Sequence, residues 1–319
     1  MANLAKPQDL PVHPSVPESA QALRLIQGAV CGIVAVSIWA GWLVMMRLGV
    51  TTSLPATDLT ALRFSVAGVI LVPVVLRRGF AVDRLGWSGF LAVTIGGGAT
   101  YALVVGAGLV FAPVAHASAL TQGLIPLIVA LLAAALLKEP LTRMRKVGLA
   151  LIICGEIVIA GFSFASLGTA QNLGHLCFLA AAFLWAAYTV AMRRARLDGL
   201  HAAAIAAVVS LVVYLPIYLA LPHERLFAAP WRDIIWQSFY QGVLTAAVSL
   251  ALYGRAVSLL GASSGAAFIA FGPAMAALFA IPVLHEWPAA VDWFAIAVIT
   301  VGVYLASQGP LPRAWRRAA

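Results

Sequence analysis

Charge is scarce in this sequence. Of its 319 residues only 10% are Asp, Glu, Lys or Arg, while 63% are hydrophobic. A soluble globular chain carries about 25% charged residues, so a soluble domain is excluded for nearly all of the chain. Cysteine is scarce too. Cys31, Cys154 and Cys177 each fall in an apolar run and form no CxxC pair, which argues against a metal site or a disulfide framework. There is no Walker loop and no HExxH, so neither that ATP site nor that metalloprotease motif supplies the chemistry. Gly261–Gly265 reads GASSG, a match to GxSxG. A nucleophile elbow needs a strand before it and a helix after it, whereas this one opens an apolar run. Like GxxxG at Gly28–Gly32, it reads as close helix packing. No cofactor and no metal is implied.

What is abundant is the long apolar run. A helix needs about 20 predominantly apolar residues to cross ~30 Å of hydrocarbon. Ten such runs occur, at 27–48, 57–77, 87–110, 114–137, 143–161, 173–195, 201–221, 233–257, 261–284 and 289–307. The chain is therefore expected to be an all-α integral membrane protein. Residues 1–26, with Pro7, Pro11, Pro14 and Pro17, read as a polar tail. The first run is full length and contains Trp39 and Trp42, so it reads as a retained span and not a cleaved leader.

The net charge of +9 invites a nucleic-acid partner, but its distribution removes one. Threading ten spans from a cytoplasmic N-terminus puts 16 of the 20 basic residues on the cytoplasmic side. Only Arg47, Arg225 and Arg232 fall outside, and Arg63 lies within a span. Excess Lys and Arg on cytoplasmic loops sets orientation. Both termini are expected in the cytoplasm, in a cell (inner) membrane, with a basic tail at 308–319.

The sequence is also duplicated. LLKEP at Leu136–Pro140 closes one apolar run, and VLHEWP at Val283–Pro288 closes another. Pro126 precedes Glu139 by 13 residues and Gly155 follows by 16; Pro273 and Gly302 stand at the same spacings around Glu286. WAGWLVMMR from Trp39 and WAAYTVAMR from Trp185 share Trp, Ala, Met and Arg at identical spacing. The copies are taken as 27–161 and 173–307, joined by an outer loop at 162–172. Each holds five spans, an odd number, so the second must cross in the opposite sense. The charges agree: Lys138, Arg143, Arg145 and Lys146 surround Glu139, and no Lys or Arg surrounds Glu286. Inverted repeats are characteristic of alternating-access transporters with a midplane substrate site. The two glutamates, each just before a proline, are expected to be structural turn caps for the helix that follows.

Ten spans in two halves, a tryptophan in the first helix of each, the repeated proline–glutamate–glycine pattern and LRF at Leu62–Phe64 together resemble the drug/metabolite transporter superfamily and its EamA-type repeat. WAAY at Trp185–Tyr188 is similar to the aromatic amino-acid exporters of that family. The resemblance covers roughly 27–307. It implies export or exchange of small organic solutes through a central cavity ringed by the first four helices of each half, with the fifth peripheral. Two positions depart from the pattern: the second half has Val209 where the first has Arg63, and Glu156 follows Gly155 where the family has an apolar residue.

The implied cavity walls include Trp39, Tyr101, Trp185 and Tyr188. Trp39 and Trp185, at equivalent places in opposed halves, are expected near the centre, on opposite sides of one cavity. An ionisable group in a membrane segment costs a few kcal/mol or more and normally faces protein or water. Arg63 could thus hold a substrate carboxylate, with snorkelling to the surface as the alternative. Glu156 reads either as a proton-coupling carboxylate or as a helix-bonded side chain on a peripheral helix. His116 and Gln122 add polar handles in the fourth span. The expected function is secondary transport of small organic metabolites, amino acids or related solutes, in the direction of export, with a proton or counter-solute as coupling partner. An integral-membrane enzyme or lipid-handling scaffold is the alternative, and it would need an acid, histidine or serine cluster on one face.

Overall fold

The structure, a computed structural model, describes residues 18–164, 170–222, 224–261 and 267–307. Most of both tails, the middle of the 162–172 loop and the GASSG motif beyond Gly261 lie outside the described residues. Among the described residues the chain is helical, with no strand. We label its long helices α1 (Glu18–Thr51), α2 (Ala56–Arg78), α3 (Val82–Phe111), α4 (Val114–Leu137), α5 (Arg143–Phe164), α6 (Ala170–Arg194), α7 (Gly199–Leu219), α8 (Trp231–Leu260), α9 (Ala267–Leu284) and α10 (Ala290–Ala306). All but α5 and α10 are long and apolar enough to cross a membrane, and α10 is a shorter apolar helix. Large apolar side chains such as Val69, Ile157, Val212 and Leu278 point outward. That is costly in water and is the expected lining of a hydrocarbon-facing surface.

Packing couples distant parts of the chain. We call α1–α5 the first half and α6–α10 the second. Helix α1 lies against α8 and α9, and α6 lies against α3 and α4. Helix α2 packs on α7, and α5 on α10. The α5–α10 crossing is close because glycine forms it: a Cβ on Gly148 would stand 2.6 Å from the Gly302 carbonyl oxygen, and one on Gly302 would stand 2.8 Å from that of Gly148. Small residues let membrane helices approach until backbones touch, where packing replaces the hydrophobic drive that lipid cannot supply.

The repeated motif acts at the helix ends. Helix α4 stops at Lys138 and α9 at His285, both with φ of 56°. A non-glycine residue in the left-handed region is uncommon, and here it reverses the chain immediately before each glutamate. Irregular backbone recurs deeper in the molecule. Helix α3 breaks at Gly98, where φ is −99° and ψ −153°. Ser210 of α7 accepts the Ala99 N–H so exposed, at 2.9 Å. Helix α4 has a π-turn at Ala119–Gly123, and α8 has a longer one at Phe239–Val248. Interruptions of this kind are tolerated inside a membrane only where protein satisfies the backbone, and they are frequent at functional sites.

Candidate functional site

Arg63 of α2 is the centre of the site. Its Nε and Nη1 are buried and have no hydrogen-bond partner, and no carboxylate among the described residues forms an ion pair with it. The guanidinium lies over the Trp42 ring at 4.8 Å from the ring centre and near Phe64 at 5.5 Å. A cation over an aromatic face gains from the ring quadrupole, by up to about 2 kcal/mol or more when water is excluded. That gain offsets only part of the desolvation of a guanidinium, and the unused donors remain a strong anion-binding feature.

The surrounding rings make a continuous aromatic arc. Trp42 stacks on Tyr101 of α3 at 5.8 Å, Tyr101 tilts against Trp185 of α6 at 4.9 Å, and Trp185 tilts against Tyr188 at 5.0 Å. Tyr101 stands just past the break at Gly98, which aims it inward. On the other side, the π-turn of α8 presents Gln241, whose Oε1 accepts the Trp42 indole N–H at 2.7 Å. Gln241 donates to Gln237 Oε1 at 3.2 Å, and Gln237 donates to the Met45 carbonyl at 2.8 Å. Gln237 also borders a cavity of about 200 Å³ lined by Thr52, Ser53, Asp233 and Trp236. A polar relay thus joins that end of the molecule to the Arg63 cluster.

The sequence candidates divide accordingly. Arg63, Tyr101, Trp185 and Tyr188 come together. Trp39 does not stack on Trp185. It packs on Tyr253 of α8 at 5.1 Å and 53°, while Trp185 packs on Tyr101 of α3 at 4.9 Å and 47°. Each tryptophan therefore finds a tyrosine of the opposite half. Gln122 lies on the seam between α4 and α9, beside Gly272. Glu156 is buried, and both its oxygens lack a hydrogen-bond partner. It faces Gly123, where a Cβ would stand 2.6 Å from Oε1. Gln122 and Glu156 thus sit on helix seams away from the aromatic arc. Trp42, Gln237 and Gln241 are residues of this candidate site that the sequence alone does not single out. Trp42 pairs with Tyr188 at the same offset of 146 that relates Trp39 to Trp185, and that match is the one signal pointing to it.

His116 belongs to a separate group at one end. Its Nε2 faces Asp292 Oδ1 at 3.3 Å, and its Nδ1 lies 3.0 Å from His175 Nε2 and 2.9 Å from Gln171 Nε2.

The two glutamates do not cap the helices that follow them. Glu286 Oε2 accepts the N–H of Val114, at the start of α4, at 2.9 Å, and Oε1 accepts from Arg47 Nε at 2.7 Å. Arg47 also donates to the Leu109 carbonyl. The acceptor at the start of α10 is Asp292, which takes the Ala289 N–H at 2.8 Å. Glu139 binds Arg193 Nη2 at 2.7 Å and lies 3.7 Å from Arg145 Nη1. The left-handed residue before each glutamate swings its carboxylate away from its own turn, toward an arginine of the other half.

Comparison with known proteins agrees with this architecture. The pattern of the EamA-like transporter family matches residues 26–161 and, a second time, residues 172–308. The aromatic amino acid exporter YddG of Ancylobacter novellus is 29% identical over 167 residues, 51% of this chain. That alignment spans 57% of the relative's length. A crystal structure of a protein 22% identical to this chain superposes with a TM-score of 0.55, covering 88% of this chain and 96% of the other, which shows a common fold. With two copies of its pattern filling most of the sequence, this multi-pass membrane chain belongs to the EamA-like transporter family of the drug/metabolite transporter superfamily.

Proposed function

We propose that the chain is a secondary transporter of small carboxylate-bearing metabolites, aromatic amino acids foremost, and that it works in export by alternating access. The observation that carries this reading is the unpaired Arg63 guanidinium, buried against Trp42 and bordered by an aromatic arc. A carboxylate would take the free donors, and a flat apolar side chain would take the ring faces. The relative's name points to the same solute class, and the family assignment favours transport over catalysis.

In this reading all ten helices cross the membrane, as inverted repeats at 27–161 and 173–307, in the inner membrane with both termini cytoplasmic. The packing supports it. Exchanging the halves turns the α1–α8 contact into α6–α3 and the α1–α9 contact into α6–α4, and it maps α2–α7 and α5–α10 onto themselves. At each end the glutamate of the repeated motif forms an ion pair across the halves, Glu286 with Arg47 and Glu139 with Arg193. Alternating access would break one and keep the other.

Proteoliposomes loaded with labelled L-phenylalanine or L-tryptophan test the proposal. The wild-type chain exchanges them faster than empty vesicles. Arg63→Lys, purified at matched yield, raises KM about tenfold, since a two-pronged fork becomes a point charge. Exchange by Arg63→Gln with unchanged KM would assign Arg63 to structure.

A further inference from the structure

We infer that the cavity between the α1–α2 turn and the start of α8 is a second solute site, which takes the ammonium end of a small apolar amine against Asp233 and Trp236. The site stands on its own geometry; its place on an export path rests on the transport reading.

Asp233 gives the cavity its charge. Its Oδ2 accepts the Ser53 hydroxyl at 3.1 Å, and among the described residues no cation forms an ion pair with it. The basic groups of this end are committed or turned to solvent. Arg47 is held by Glu286 and by the Leu109 carbonyl, and Arg225 and Arg232 are exposed. A carboxylate that borders a cavity and has no counter-charge offers a cation a charge-assisted hydrogen bond.

The rest of the lining says which cation. A calcium ion takes about six to eight oxygens, commonly from several carboxylates. Here one carboxylate lines the cavity, and no cluster of three or more His, Cys, Asp or Glu that could hold a metal occurs among the described residues. Met45 and Leu48 give an apolar wall instead, and Trp236 brings an indole. An organic ammonium gains from an aromatic ring, and its carbon body from the apolar wall. The volume, about 200 Å³, is below the ~300 Å³ at which pockets for drug-sized molecules begin. That suits a primary amine on one compact apolar body.

The cavity shares a hydrogen-bonded wall with the Arg63 cluster. Gln237, 4% exposed, donates to the Met45 carbonyl and accepts from Gln241. Gln241 in turn accepts from Trp42, whose ring lies under Arg63. Arg63 offers donors for a carboxylate and Asp233 offers an acceptor for an ammonium, so the two sites read opposite ends of one amino acid. The offset of 146 puts Trp87 where the second half has Asp233, so the other end has no matching carboxylate at that position. In the proposed topology this cavity faces outside, where a solute released from Arg63 would be held by its amino end before leaving.

Two probes separate the sites, because each carries one charge of phenylalanine. Phenethylamine has the ammonium without the carboxylate, and 3-phenylpropionate has the reverse. Titration calorimetry of the purified chain should show phenethylamine binding, weakened about tenfold by Asp233→Asn through loss of a charge-assisted bond. Binding of 3-phenylpropionate by the same sample reports the Arg63 site and shows that the variant is folded. A second measurement keeps Asp233 intact. In a chain without the native cysteines, Thr52→Cys places a thiol on the exposed rim of the cavity. Phenethylamine at about twice its Kd leaves a third of the sites free, so an impermeant maleimide should react about threefold more slowly. 3-Phenylpropionate should give no such protection. Failure of phenethylamine to bind, equal binding by Asp233→Asn, or equal protection by the two probes would overturn the site. Phenethylamine bound there by a chain that exchanges no phenylalanine keeps the site and sinks the transport reading. Phenylalanine exchange without phenethylamine binding does the reverse.

Discussion

The Glu139 end and the Glu286 end grow from one sequence motif and differ in what surrounds it. At each, a left-handed residue stops a helix, a glutamate follows, and that glutamate binds an arginine near the end of the first helix of the other half. Around Glu139 the side chains are 31–39% exposed in the Arg193 pair, with Arg145 as a second, longer contact. Nearby, Arg78 binds Asp198 and Arg84 binds the Ala195 and Arg196 carbonyls, so the closure is shared among several solvated contacts. Around Glu286 the pair is only 18–21% exposed. There one carboxylate serves both an arginine and a helix N-terminus, and the His116 group lies alongside. The motif fixes the turn, and the surroundings fix what the turn is worth. On the proposed alternating-access reading, a strong, concentrated contact at one end and a weak, distributed one at the other would give the two ends different opening costs.

The largest effect is expected from sidedness, since the proposed topology puts the two ends on opposite faces. In a background without Cys31, Cys154 and Cys177, Ala289→Cys should react with an impermeant maleimide on intact cells, and Thr142→Cys only after permeabilisation. Both residues are exposed, so lack of reaction would reflect sidedness. Equal labelling from one side would remove the inversion and, with it, the meaning of the two ion pairs.

Next in size is the energetic asymmetry. Glu286→Ala strips the charge from a partly buried arginine and leaves the Val114 N–H without its acceptor, which should cost roughly 2–3 kcal/mol. Glu139→Ala exposes groups that water can reach, and should cost less than about 1 kcal/mol. Melting of the two purified variants against wild type measures the gap. A larger drop for Glu139→Ala would reverse the assignment of the strong end.

Much of this architecture is legible in the sequence. The apolar runs locate the helices because a membrane helix must be apolar along its length, and the repeated spacings around Glu139 and Glu286 expose the duplication. Both ingredients of each ion pair stand in those motifs, since Arg47 and Arg193 match at the offset of 146. Their pairing does not follow, because the partners are separated by 239 and 54 residues. Helical periodicity says which residues share a face and nothing about which helix that face meets. The same gap hides Trp42, Gln237 and Gln241, which are ordinary membrane-helix residues until α8 brings its glutamines to α1. His175 and Asp292 look isolated along the chain because α6 and α10 meet α4 only once it is folded. The glutamates look like caps for the next helix because local capping is the commoner use of an acid before a helix. The left-handed Lys138 and His285, invisible in a sequence pattern that favours glycine there, redirect them.

Exchanging the charges within each pair should have the smallest effect. On an Arg145→Gln background, which removes the cation 3.7 Å from the Glu139 carboxylate, Arg193→Glu with Glu139→Arg sets the new arginine against the new glutamate in a solvated setting that places few demands on geometry. The double variant should recover most of what Glu139→Ala loses, to within about 0.5 kcal/mol. The same exchange at the other end should fail. An arginine at 286 has only donors, so it leaves the Val114 N–H unmet and brings like polarity to the positive end of α4. A glutamate at 47 has no donor for the Leu109 carbonyl that Arg47 now serves. Arg47→Glu with Glu286→Arg should therefore melt no higher than Glu286→Ala alone. A double-mutant cycle at each end reads the contrast directly: the charges should be exchangeable at the Glu139 end and bound to their sites at the Glu286 end. Full recovery at both ends would mean that the Glu286 closure is only an ion pair and that its bond to α4 contributes nothing.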